Sequence, residues 1–133
     1  MERSQSDALP LGLVAKRAGG FVGAILRYGA NLAVAGRMGA FPLGTLLVNV
    51  IGCFSMGALA AWLEGENDLS DNARLALGVG LIGALTTFST FGVETMDLMR
   101  EGAMKLAFLN VVANLAVGFF AVWLGRQMVG SLA

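Results

Sequence analysis

The chain has 133 residues, 56% of them hydrophobic and 14% charged, with nine basic and nine acidic residues that cancel. A soluble domain carries about a quarter charged residues, and zero net charge leaves no basic footprint for nucleic acid. One cysteine excludes an internal disulfide, and the absence of histidine removes the commonest metal ligand and proton shuttle.

The charges are segregated along the chain. Residues 38–63, 75–93 and 106–125 contain none, in runs of 26, 19 and 20 residues. About 20 apolar residues of helix cross a bilayer core, so each run reads as a transmembrane segment. With a less apolar first stretch they predict an all-α membrane protein of four transmembrane helices. A polar segment over 1–10 precedes a single domain over 11–130, with spans near 11–36, 42–64, 73–100 and 103–128. Little chain remains outside them, which leaves no extramembrane domain for an enzyme's active site.

The first span is apolar except for Lys16, Arg17 and Arg27. Lys16 and Arg17 mark its start, with side chains snorkelling to the headgroups. A basic pair before an apolar stretch is also the pattern of a signal peptide. Here the stretch 18–26 is short and runs straight into Arg27-Tyr28, which favours a retained helix. Gly19 and Gly23 form a GxxxG pair, a spacing that lets helices approach closely in lipid. In the second span, Thr45 and Asn49 lie four apart on one helical face, and Gly52 continues it.

The third span carries Thr86-Thr87-Phe88-Ser89-Thr90-Phe91. Its hydroxyls surround most of a helix, so they cannot all share one face, and Gly83 and Gly92 flank them. This predicts a break near 83–88, which lipid tolerates only where the freed backbone is buried in protein or lines a water-filled cavity. Carbonyls freed in this way are cation ligands in membrane sites. Phe88 and Phe91, three apart, share a face. Aromatic rings are positive at the edge, so edges turned into a path favour an anion without any fixed charge. Two core phenylalanines, and hydroxyls bonded back to the preceding turn, are the structural alternative. Glu94 lies close enough to this patch to touch a pathway mouth; Arg27 of the first span can do the same and, being positive, attracts anions electrostatically.

A match to GxGxxG over 78–83, with Glu101 beyond it, lacks the preceding strand of a dinucleotide site and is set aside. In the fourth span Asn110 and Asn114 repeat the spacing of Thr45 and Asn49, with Gly118 one turn on. An amide in hydrocarbon is costly without a partner, so two Asn-bearing stripes read either as interhelical glue or as the wall of a polar path. If four spans alternate, Arg3, Lys16, Arg17, Arg74 and Arg126 share one side, and Arg27, Arg37, Arg100 and Lys105 the other. Five against four is almost no excess, so the pattern predicts insertion in both orientations.

These residues resemble the Fluc (CrcB-type) fluoride channels of microbes over nearly the whole chain from Gly19 onward. The motifs that carry the resemblance are Gly19-Gly20-Phe21-Val22-Gly23-Ala24 with Arg27-Tyr28, then Pro42-Leu43-Gly44-Thr45-Leu46 with Val48-Asn49 and Gly52. The third is Gly83-Ala84-Leu85-Thr86-Thr87-Phe88-Ser89-Thr90-Phe91, followed by Glu94. The resemblance implies an antiparallel, dual-topology homodimer in the plasma (inner) membrane of a prokaryote, multi-pass in the lipid bilayer, with two fluoride pathways. It implies that Gly83 and Thr86 carbonyls from both subunits hold a structural Na+ at the dimer centre. Phe88 and Phe91 would line the pathways with Asn49 beside them, and Thr45, Ser89, Thr90, Asn110 and Asn114 would contribute polar contacts. Arg27 and Glu94 would stand at the vestibules. Gly118 falls where relatives often carry a third polar residue, and Ala84 where many carry a second glycine. The activity implied is passive, selective export of cytoplasmic fluoride, and so fluoride resistance. The rivals are a small proton-coupled multidrug-type exporter, which needs a carboxylate deep in a span, and a non-transporting membrane subunit.

Overall fold

A computed structural model describes residues 5–37, 39–65 and 69–131, and every regular element among them is helical. Four runs make up this fold: α1 over Gln5–Val34, α2 over Leu43–Glu64, α3 over Asp71–Arg100 and α4 over Met104–Gly130. Among the described residues, α2, α3 and α4 are each long and apolar enough to cross a membrane. The sequence predicts four such spans; α1 has the length, but Lys16, Arg17 and Arg27 interrupt its apolar surface. It also begins at Gln5, earlier than the expected start at 11. Residues 1–4, with Arg3 of the charge count, lie outside the described residues, as do Met38 and residues 66–68.

Two of the runs change helical form. In α3, a first turn capped by the Ser70 hydroxyl leads into a π-helical stretch over Leu75–Ile82 and a short α-turn over Gly83–Leu85. The chain is then extended at Thr86 and Thr87 before Phe88–Arg100 resumes as α-helix. The break predicted near 83–88 is therefore present, at the centre of α3. In α4, a π-helical stretch over Ala113–Val117 interrupts the α-helix. Such π-helical turns are rare and concentrate at functional sites.

Small residues set how the helices meet. A Cβ on Gly19 would collide with the Ala76 carbonyl, and one on Gly23 with the Leu81 carbonyl, so the GxxxG face of α1 lies directly on the backbone of α3. The same relation joins α2 to α4, where Gly57 faces the Val122 carbonyl and Gly125 the Phe54 carbonyl. Gly19 and Gly23 meet Ala76 and Leu81 in rising order, and Asn49 meets Asn114 as Glu64 meets Arg126, so α1 runs with α3, and α2 with α4. The bidentate ion pair of Arg126 with Glu64, at 2.7 and 2.8 Å, ties the ends of α2 and α4 on the exposed surface.

α3 turns into α4 through Glu101–Ala103. Gly102 takes φ +78°, and its N–H bonds the Met99 carbonyl while Ala103 N–H bonds the Leu98 carbonyl. This is the paired bonding of a glycine-terminated helix, which satisfies the last carbonyls and reverses the chain. α4 is thereby laid antiparallel to the second arm of α3.

The interior is unusual in what it protects. The largest fully buried side chains are Val48, Asn110 and Thr45, two of them polar. Phe21, Tyr28, Phe108 and Phe119 are exposed, with many other large apolar side chains. A soluble monomer does not present apolar surface on this scale; a bilayer makes it the natural outer face.

Candidate functional site

The site is organised around the break in α3. Thr86 has ψ 156°, and Thr87 is extended at φ −153°, ψ 113°. An extended residue inside a helix exposes both its N–H and its C=O, and these must find partners in an apolar setting. Asn49 of α2 supplies both: Thr87 N–H donates to Asn49 Oδ1 at 2.8 Å, and Asn49 Nδ2 donates to the Thr87 carbonyl at 3.3 Å. The Thr87 hydroxyl caps the second arm, accepting from Thr90 N–H at 3.2 Å, and also bonds the Thr90 and Ser89 hydroxyls. Gly52, one turn beyond Asn49, leaves room for the Thr86 side chain, since a Cβ there would collide with Thr86 Cγ2.

From Asn49 a chain of amides runs along the helix interface. Asn49 Nδ2 donates to Asn114 Oδ1 at 2.9 Å, and Asn114 Nδ2 donates to Asn110 Oδ1 and to the Asn110 carbonyl, both at 3.0 Å. Asn110 Nδ2 donates to Thr95 Oγ1 at 2.9 Å, and the Thr95 hydroxyl donates to the Phe91 carbonyl at 2.7 Å. Both ends are backbone groups of fixed sense: an N–H at Thr87 that only donates, and a C=O at Phe91 that only accepts. The orientation of all three amides follows from those ends, because flipping any one would set donor against donor.

Thr45 and Glu94 form a separate pair. The fully buried Thr45 hydroxyl donates to Glu94 Oε1 at 2.7 Å, while Glu94 Oε2 is buried with no hydrogen-bond partner among the described residues. Arg27 reaches the break from α1, with Nη1 3.5 Å from the Thr86 carbonyl. Phe88 and Phe91 stack at a tilt, with centroids 5.5 Å apart and planes at 55°. Phe91 is buried, whereas Phe88 is 80% exposed. A cavity of about 340 Å³ opens at the break, walled in part by Asn49, Thr86, Thr87, both rings and Asn114; among the described residues no charged one lines it.

Most of the residues singled out in the sequence thus meet at one place. Asn49, Asn110 and Asn114 share one network, and Ser89 and Thr90 join it through Thr87. Thr45 stands one turn from Asn49 but bonds Glu94 instead of the amides. Gly118 faces Cys53 and contributes no polar group. Two participants were missed: the Thr87 backbone, and Thr95, which anchors the far end. The spacing 87, 91, 95 puts them on one helical face, and that periodicity was the available signal.

The break also bears on a cation. In a continuous helix Thr87 N–H would bond the Gly83 carbonyl, and Thr90 N–H the Thr86 carbonyl. Here both donors go to side-chain oxygens, Asn49 Oδ1 and Thr87 Oγ1. Both carbonyls lose their helical partners, and the Thr86 carbonyl accepts instead from Arg27 Nη1 at 3.5 Å; they remain hard oxygen acceptors of the kind that take Na+.

A family model described as CrcB-like protein, Camphor Resistance (CrcB), matches residues 14–126. The proteins named fluoride-specific ion channel FluC from Shewanella halifaxensis and Shewanella woodyi are each 48% identical to this chain over 114 residues. Their counterpart in Shewanella loihica is 47% identical over the same length. Each alignment covers 85% of this chain and 91% of the relative. The family match includes every residue of the network just described.

Proposed function

The chain belongs to the CrcB-like family, and from that premise we infer that it is a bacterial membrane channel for fluoride, giving passive export of the anion and so resistance to it. It is not an enzyme. The observation that carries the reading is the cavity at the break, lined by both phenylalanines, Thr86, Thr87, Asn49 and Asn114 and, among the described residues, by no charged one. Fluoride is strongly hydrated and must be offered replacement donors. Weak sites in series, rather than one strong one, let the ion leave as readily as it enters.

The lane passes Phe88 and Phe91, whose positive edges face the anion, and the Ser89 and Thr90 hydroxyls. Thr45, Asn110 and Asn114 complete its polar wall beside Asn49, and Arg27 and Glu94 stand at its mouths. Four spans cross the plasma membrane in each subunit, and two subunits pair antiparallel to give two lanes. Two features support the pairing: the exposure of Phe88 on a single subunit, and a basic-residue balance that favours neither orientation. The Gly83 and Thr86 carbonyls of both subunits hold Na+ at the dimer centre. The ion supplies a fixed positive charge there, and the chain's own part is to keep those carbonyls turned away from helical partners. A proton-coupled exporter and a non-transporting subunit, the two alternatives, find no support among the relatives.

The test is efflux from proteoliposomes holding fluoride or chloride, with no proton gradient. Fluoride leaving and chloride retained is the expected result. Flux that requires a proton gradient, or none from the purified protein, would overturn the reading.

A further inference from the structure

We propose that Asn49 and the Thr87 hydroxyl are positioning residues that hold α3 broken, and so set the affinity of the break for its cation. The proposal rests on the reading above that the Gly83 and Thr86 carbonyls take Na+. An α-helix bonds each N–H to the carbonyl four residues back. The two N–H groups that would close on Gly83 and Thr86 are those of Thr87 and Thr90, and α3 sends both elsewhere. One goes to Asn49 Oδ1 at 2.8 Å, the other to Thr87 Oγ1 at 3.2 Å.

Asn49 does this with a two-point contact. By donating to the Thr87 carbonyl as it accepts from the Thr87 N–H, its amide pairs with one residue much as a neighbouring strand would. That contact requires the extended backbone Thr87 adopts. The second Nδ2 proton goes to Asn114 Oδ1. Both amide protons are then committed, and Asn49 has none left for an anion in this arrangement. Its chemistry is directed at the backbone. Without it, Thr87 N–H is free to return to Gly83, and without the Thr87 hydroxyl, Thr90 N–H is free to return to Thr86.

The test uses the full-length protein, purified and titrated with NaCl against a large organic cation at constant ionic strength. The Na+ concentration giving half-maximal thermal stabilisation is measured for the wild type, Asn49→Ala, Thr87→Val and Thr87→Ser. Thr87→Val keeps the shape and loses the cap, whereas Thr87→Ser keeps the cap. The half-point should rise about tenfold in Asn49→Ala and Thr87→Val, the effect of losing one well-placed hydrogen bond, and stay near wild type in Thr87→Ser. Fluoride half-saturation is measured on the same variants at saturating Na+. An unmoved Na+ half-point in both Asn49→Ala and Thr87→Val overturns the proposal. If fluoride half-saturation shifts in its place, Asn49 is a direct ligand of the anion. Wild-type protein that ignores Na+ overturns the cation reading, and the proposal with it.

Discussion

Asn110 is fully buried, and its amide is tolerated only because Thr95 and Asn114 occupy it from both sides. Thr95→Val leaves Asn110 Nδ2 without its acceptor at nearly constant volume. Stranding a buried donor costs about 1–3 kcal/mol, so the variant should unfold at a lower temperature, while Thr95→Ser should not; equal melting of the two would show that the anchor is idle. The phenylalanines differ in what they risk. Phe91 is buried and Phe88 is exposed on one subunit, yet the ring-edge account assigns both the same role. Phe88→Ile and Phe91→Ile should each cut fluoride efflux while the protein still elutes at its native size. Normal efflux in both variants removes the ring edges from the mechanism.

At the scale of the elements, α2 and the break of α3 fit as one unit, because Asn49 grips Thr87 and Gly52 yields space to Thr86. Gly52→Ala improves helix propensity by up to about 1 kcal/mol but drives a methyl into Thr86 Cγ2. Overpacking of this kind costs about 1–3 kcal/mol, so the variant should lose both stability and flux. Thr86→Ser removes the colliding methyl and should restore part of each in the double variant. Additive losses would mean that the two sites do not touch. The break itself was legible in the sequence, because four hydroxyls in six residues cannot share a helical face. The stripes of Asn49, Asn110 and Asn114 were legible from their four-residue spacing. The partners were not: whether Thr45 bonds the amides or Glu94 depends on how α2 and α3 cross, and no local pattern encodes that. The π-helical stretches over Leu75–Ile82 and Ala113–Val117 were unreadable for the same reason. α1 came out less apolar as a span than its neighbours, since its charges are spread through the helix instead of gathered at its ends.

At the scale of the molecule, the proposed antiparallel pair makes a prediction that no single subunit can meet. If four spans alternate, basic residues stand five against four, and orientation follows the side with the excess. Replacing Arg37 and Lys105 by Gln leaves five against two, which should commit the chain to one orientation. Replacing Lys16, Arg17 and Arg74 by Gln leaves two against four and should commit it to the other. Reporters fused to the C-terminus, one active in each compartment, check the orientation reached. Either biased chain expressed alone lacks an oppositely inserted partner, so it should lose most of its fluoride efflux. The two expressed together should recover it. Full efflux from one fully biased chain would mean that parallel subunits suffice. Loss that co-expression does not repair would trace the effect to the removed charges themselves.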